Sequence, residues 1–156
     1  IEAGAKPFGM YALNSMRIEK GYRTWKGDLS TDYTLLEGGI ERFIKFDKPQ
    51  DFPGKAALLA EKQQGSKKRF VTLIVDTDFA DAPYMSSIWH GDKVVGETTS
   101  GDWGYPIKAS IALGMVRSDL AVPGSKLEVE IFGKRCKAIV QNDEALWDPK
   151  NERICA

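Results

Sequence analysis

The sequence predicts an α+β first part over residues 1–65, followed by a small all-β barrel of about six antiparallel strands over residues 66–156. Three observations support this prediction. Helix-forming segments and irregular stretches fill the first part, a basic linker occupies residues 66–69, and short apolar runs separated by turn residues fill the second part. We therefore expect two structural units with a boundary near residue 65.

The first part contains two segments of helical character. In residues 8–17, which follow Pro7, apolar side chains recur every three or four positions, and residues 54–64 are strong helix formers that end at Gly65. Residues 30–32 are typical of a helix N-cap, and the alternation in residues 43–46 favours a strand.

The second part contains six segments of strand length. They are rich in β-branched and apolar residues, and turn residues such as His90-Gly91-Asp92 and Gly133-Lys134 separate two pairs of them. The segments are residues 70–75, 85–89, 93–98, 109–116, 127–132 and 135–140. Short strands with regular turns predict a barrel or a sandwich.

Composition and charge exclude several classes of function. The chain is 42% hydrophobic, and 22 basic residues balance 22 acidic ones, so no overall field favours nucleic acid or anionic lipid as a partner. Two cysteines, Cys136 and Cys155, cannot form a disulfide framework or a zinc cluster. The apolar runs are far shorter than the roughly 20 residues that span a bilayer. We expect a soluble, cytoplasmic protein, and since the sequence starts at Ile1 we interpret it as part of a longer one.

The glycine-rich stretch 91–104 raises two possibilities that its spacing does not favour. Its glycines match neither G-x-G-x-x-G nor the Walker pattern, and the following segment is strand-like, whereas a phosphate loop leads into a helix. A nucleophilic Ser100 would need a base, and His90 lies at a hairpin turn. We interpret the stretch as a connection between strands.

Residues 17–28 are the better candidate site because charged, aromatic and glycine residues are concentrated there. Beside an aromatic pocket, the Glu19 carboxylate could accept two parallel hydrogen bonds from adjacent N–H groups of a heterocycle, and Tyr22 and Trp25 could stack on a flat ring. The alternative is that Glu19 pairs with a neighbouring cation, Arg17, Lys20 or Arg23, while the aromatic side chains only pack. The spacing leaves both alternatives open.

Three ordered motifs stand out: residues 14–25 continuing through Asp28 to Gly39, residues 51–58, and residues 96–101 together with 110–116. They resemble the folate-dependent aminomethyltransferase family, which contains the glycine-cleavage T-protein and the C-terminal halves of dimethylglycine and sarcosine dehydrogenases. Residues 20–25 and 147–153 are most similar to the dehydrogenase branch. The sequence departs from the family pattern at Lys26, Leu35, Gly38 and Glu97.

The resemblance implies a folate site built from several domains around tetrahydrofolate. Glu19 matches the glutamate that binds the pterin edge, and Tyr22 and Trp25 would shape its pocket. Lys48 lies where one branch has an arginine that meets the folate glutamyl carboxylate; lysine keeps the charge but lacks the bidentate fork. No segment of the chain matches the catalytic aspartate of the family, so we assign no catalytic residue.

The expected function is therefore that of a C-terminal part of a tetrahydrofolate-dependent aminomethyltransferase. The resemblance implies transfer of a methylene unit from an N-methylated amino acid or aminomethyl donor to tetrahydrofolate, within a dimethylglycine or sarcosine dehydrogenase-like enzyme. The partners would be N-terminal domains of the same protein, one with FAD, and a small amine; this part alone would be inactive. The alternatives are a non-catalytic barrel module, or the T-protein or folate-dependent demethylase branch.

Overall fold

A computed structural model describes residues 4–155 and contains two helices followed by a closed six-stranded antiparallel barrel. The predicted fold class is confirmed. The helices are α1 (Met10–Glu19) and α2 (Lys55–Gln64), and the strands are β1 (Lys68–Val75), β2 (Ser87–His90), β3 (Lys93–Gly104), β4 (Ala109–Arg117), β5 (Lys126–Ile131) and β6 (Lys134–Val140).

The barrel closes in the order β1, β4, β3, β2, β5, β6, and β6 pairs back with β1. The register of β1 on β4 runs from Lys68 opposite Arg117 to Val75 opposite Ser110. Where β6 pairs with β1 to close the barrel, Leu73 lies opposite Val140. Within residues 4–155 every strand of the barrel therefore has two neighbours, and none is an edge strand.

Strand β4 is buried on both faces, and this double burial positions α1. Ala112 and Val116 lie in the main core inside the barrel. Ile111, Leu113 and Met115 belong to a second apolar cluster, which Ile18 of α1 joins. Helix α1 therefore packs on the outside of the barrel wall, and apolar burial of about 1.5–3 kcal/mol for each such side chain stabilises it there.

Two local predictions in the first part are wrong. Residues 43–46 do not form a strand, because the closed barrel offers them no pairing partner; a short 3₁₀ turn, Glu41–Phe43, occupies this region, and Phe43 is exposed. No helix begins at residues 30–32, since the Ser30 hydroxyl instead bonds the main chain and carboxylate of Asp32 in a local turn.

The two predicted helices are present. Helix α1 begins and ends two residues later than the periodicity indicates. Helix α2 ends at Gly65, whose φ of 83° is a left-handed conformation that glycine adopts without strain.

Strand β3 is longer than predicted and includes most of the stretch interpreted as a connection. It continues past Thr98 through a register shift and ends at Gly104. A Cβ at Gly101 would lie 2.1 Å from the carbonyl oxygen of Ala82, so only glycine lets these two backbone segments approach. Gly101, which the sequence indicated as part of a connection, is thus required by close packing of the strand against a neighbouring backbone segment.

We expect Gly101→Ala to lower the free energy of unfolding by about 1–3 kcal/mol or more, because the added methyl group meets backbone atoms that cannot move aside. Gly9→Ala is the matched control, since nothing lies within 4 Å of a Cβ there. Urea unfolding of the two variants should separate them clearly. Equal stability of the two variants would contradict the close approach.

Candidate functional site

The C-terminal half of α1 is fixed to strand β3 by polar side chains as well as by Ile18. The Ser15 hydroxyl donates to the carbonyl oxygen of Trp103 at 2.6 Å, and the Asn14 amide donates to Asp102 at 2.8 Å. The residues that follow α1 are thereby held against the barrel.

Asp28 is the centre of a buried network that joins α1, the loop after it and β3. Its carboxylate is inaccessible to solvent and accepts four hydrogen bonds of 2.5–2.8 Å. The donors are the Arg17 guanidinium, the Thr24 N–H, and the hydroxyls of Thr99 and Ser100. Ser100 also accepts from Arg17, which agrees with a structural role rather than a nucleophilic one.

The cations near Glu19 in sequence are bound to other groups. Arg17 pairs with Asp28 at 2.8 Å. Lys20 donates to the carbonyl oxygens of Trp147 and Asp148, and Arg23 donates to the carbonyl oxygen of Gly38. Among residues 4–155, none of these three cations forms an ion pair with Glu19.

Glu19 itself is a buried carboxylate with an unpaired oxygen. The residue is 2% exposed, and within the described residues Oε1 has no hydrogen-bond partner. Oε1 lies beside Gly104, where a Cβ would come within 3.1 Å of it. Burial raises the pKa of the Glu19 carboxyl above its usual value, because the charged form loses solvation without gaining a partner. An unsatisfied buried charge destabilises a fold, so this arrangement is typical of a site that a ligand completes.

The structure distributes the remaining predicted site residues along the surface. Tyr22 is 53% exposed and lines a cleft of about 540 Å³ together with Lys20, Arg42 and residues of the segment 143–151. Trp25 is 68% exposed and is not among the residues that line this cleft. Lys48 is not among them either; its ammonium lies over the Phe52 ring at 4.9 Å. Their binding roles stay predictions.

Sequence reasoning missed how the C-terminal segment contributes to this region. The main-chain N–H groups of Leu146 and Trp147 donate to the carbonyl oxygen of Glu19 at 2.9 and 3.2 Å. These partners lie far from Glu19 along the chain, so no local period indicates the contact. The motif at residues 147–153 could have drawn attention to this segment, but the sequence analysis used it only as evidence of the family.

Two further features concern the residues that the structure describes. No group of three or more His, Cys, Asp or Glu side chains in residues 4–155 could hold a metal ion. No helix in that range is both long enough and apolar enough to cross a bilayer.

Two family models match the chain. One, described as the glycine cleavage T-protein C-terminal barrel domain, covers residues 68–148, and the other, the GCVT N-terminal domain, covers residues 1–48.

Curated relatives agree with the two family models. The chain is 44% identical over 154 residues to "Dimethylglycine dehydrogenase, mitochondrial" of Mus musculus. The aligned region covers 98% of this chain and 18% of that protein. It is 31% identical to "Aminomethyltransferase" of Prochlorococcus marinus (strain NATL1A), over 90% of this chain and 37% of the relative. The chain thus spans about a fifth of the dehydrogenase.

A solved structure agrees in fold. The glycine cleavage system aminomethyltransferase T from Bartonella henselae superposes with a TM-score of 0.77 at 24% identity, over 85% of this chain and 37% of that one. At this identity the match concerns the fold alone.

We expect Asp28→Asn to destabilise the chain by about 3–5 kcal/mol, because it leaves the Arg17 guanidinium buried beside a neutral group. The control is Asp143→Asn, which removes an exposed carboxylate from a longer ion pair with Arg23 and should change stability by less than about 1 kcal/mol. Urea unfolding measures both. Similar small losses would contradict the central place of Asp28.

We expect Glu19→Gln to raise the stability of the unliganded chain at neutral pH, because it removes a buried charge that lacks a partner. The carboxyl pKa is higher in the folded state than in the unfolded state, so the penalty is full above the folded pKa and disappears below the unfolded pKa. The difference in thermal midpoint between the variant and the wild type should therefore shrink as pH falls. A variant that is less stable than the wild type at pH 7 would contradict this account.

Proposed function

We propose a folate-dependent function for this chain, which belongs to the glycine cleavage T-protein family. In this proposal, residues 1–65 belong to a folate-binding domain and residues 66–156 form the C-terminal barrel domain. The chain is the C-terminal part of an aminomethyltransferase that moves a one-carbon unit from an N-methylated amino acid to tetrahydrofolate. The enzyme is of the dimethylglycine or sarcosine dehydrogenase kind, since dehydrogenase relatives match almost the whole chain.

The unpaired oxygen of Glu19 is the observation that carries the proposal. The pyrimidine edge of a pterin presents adjacent N–H donors, and a carboxylate can accept two of them in parallel. Burial without a partner destabilises the charged carboxylate and so raises the pKa of Glu19. A bound pterin would supply the missing hydrogen bonds. The residues present therefore fit the group that the family implies.

The remaining predicted residues have supporting roles in this proposal. The exposed ring of Tyr22 would stack on the ligand, Trp25, which lies outside the cleft of Tyr22, would shape the pocket from another side, and Lys48 would meet the glutamyl carboxylate. When bound, tetrahydrofolate supplies the nitrogens that take up the one-carbon unit. This chain binds and orients, and we propose no catalytic residue in it. Alone it would be inactive, since the family's aspartate matches none of its segments.

The outer face of α1 supports the proposal that further domains of the same protein are partners. Met10, Leu13 and Met16 are 43–77% exposed on the side of α1 that does not contact the barrel. A helix with apolar residues on both faces is typical of a buried position. We propose that the rest of the folate-binding domain covers this face, and that FAD binds in another N-terminal domain; no residue of this chain is assigned to the flavin.

The same exposed face also supports the alternative of a non-catalytic packing module. Sedimentation and folate titration of the complete protein that carries this chain distinguish the two functions. A module would associate through α1 without binding tetrahydrofolate, whereas the proposed enzyme binds it.

The compartment is a separate proposal. The two cysteines are free, Cys136 buried and Cys155 exposed, which suits the reducing cytoplasm that we propose. The dehydrogenase relatives are mitochondrial by name. Fractionation of the source cells would decide between the two compartments.

We expect Glu19→Gln in the complete protein to weaken tetrahydrofolate binding by about 10- to 100-fold, the worth of a hydrogen bond to a charged group. Anaerobic calorimetry measures the dissociation constant. Glu128→Gln is the control, because it removes a charge from strand β5, where Glu128 makes only a 3.9 Å contact with Arg135. Unchanged affinity in Glu19→Gln would remove the pterin role from this residue.

A further inference from the structure

Residues 146–151, here called the C-terminal strap, are bound reciprocally to Glu19 and Lys20. The strap gives two main-chain N–H groups to the carbonyl oxygen of Glu19. In return, the Lys20 ammonium donates to the carbonyl oxygens of Trp147 and Asp148 at 3.3 and 2.6 Å, and to the Asn151 side-chain oxygen at 2.8 Å. Five hydrogen bonds thus join two consecutive residues to one segment.

The Lys20 ammonium is well suited to hold the strap. Lys20 is 8% exposed, although lysine is seldom buried without partners. Besides its three acceptors, its ammonium lies 3.8 Å from the Asp148 carboxylate and 5.4 Å from the centre of the Trp147 ring. All these partners belong to the strap, so loss of the ammonium would leave three partly buried oxygens without this donor.

The backbone of the strap is strained at two of the positions that Lys20 contacts. Asp148 has a φ of 47° and Asn151 a φ of 60°, both in the left-handed region. Such conformations cost of order 1–2 kcal/mol each and persist only where surrounding contacts enforce them. Lys20 is therefore one of the contacts that hold the strap in this shape, together with the Asn151 N–H bond to the Asp148 carbonyl oxygen.

The contact with the strap fixes the position of Glu19 in particular. Glu19 is the last residue of α1, where carbonyl groups lack partners within the helix. The carbonyl oxygens of Arg17 and Ile18 accept bonds from the next turn, whereas that of Glu19 accepts both of its bonds from the strap. The strap thus holds the main chain of Glu19 while its carboxylate lies beside Gly104.

We propose that Lys20 and the C-terminal strap form a positioning device for the Glu19 carboxylate. Lys20 is a positioning residue: it touches no ligand in this account and acts by holding the end of α1, so that Oε1 is aimed at the pterin edge. This inference rests on the proposed function. It adds that folate affinity depends on a segment about 130 residues away in sequence from the carboxylate that binds.

The test is a double-mutant cycle in the complete protein that carries this chain, with tetrahydrofolate affinity as the measurement. Lys20→Met removes the ammonium and should raise the dissociation constant about tenfold, or ~1.4 kcal/mol. In the Glu19→Gln background the same substitution should have little further effect, because both changes remove one interaction. Lys93→Met is the control, since Lys93 is an exposed lysine at the start of β3 and does not line the cleft.

Asn151→Gly keeps the inference testable if Lys20→Met does not fold. Glycine accepts the left-handed backbone without strain, so this variant deletes one acceptor of Lys20 and leaves the strap intact. It should weaken binding in the wild-type background only. Additive effects in the cycle, or unchanged affinity in both strap variants while Glu19→Gln binds weakly, would overturn the inference. Unchanged affinity in Glu19→Gln itself would instead overturn the proposed function.

Discussion

The hydrogen-bond network around the buried Asp28 carboxylate is the interaction on which the arrangement of the site depends. Its four hydrogen bonds tie the guanidinium of α1, the loop after α1 and two hydroxyls of β3 to one point from which water is excluded. With Ile18 in the apolar cluster on β4, this network fixes α1 to the outside of the barrel wall. The position of Glu19 depends on that attachment, because Glu19 is the last residue of the same helix.

Asp28 and Glu19 show two different uses of a buried acid. Each oxygen of the Asp28 carboxylate accepts two hydrogen bonds, and an opposite charge lies at 2.8 Å, so the burial of Asp28 is compensated within the fold. Glu19 lies nine positions away with an oxygen that has no partner within the described residues, and its pKa is raised. The contrast separates a residue that holds the structure from one that binds a ligand in the proposed function, where stability is given up for binding.

Much of the barrel could be predicted from local pattern, because β-branched runs and turn residues act over a few positions. The alternation of apolar and polar residues at 43–46 gave a wrong strand prediction. A strand also needs a neighbouring strand to pair with, and the closed barrel offers none to these residues. Glu19 was singled out from the composition of residues 17–28 and then matched to a motif, whereas the contacts of Lys20 with the strap join residues more than 120 positions apart and leave no local period. Contacts of that kind depend on the whole fold.

The central claim is that the oxygen left unpaired in Glu19 is kept for a pterin. A crystal structure of the complete protein with 5-formyltetrahydrofolate tests it most directly. The account predicts N–H groups of the pyrimidine edge at about 2.7–3.2 Å from the Glu19 carboxylate, with Oε1 as one acceptor. A folate bound elsewhere, or bound nearby with Oε1 still unpaired, would contradict it.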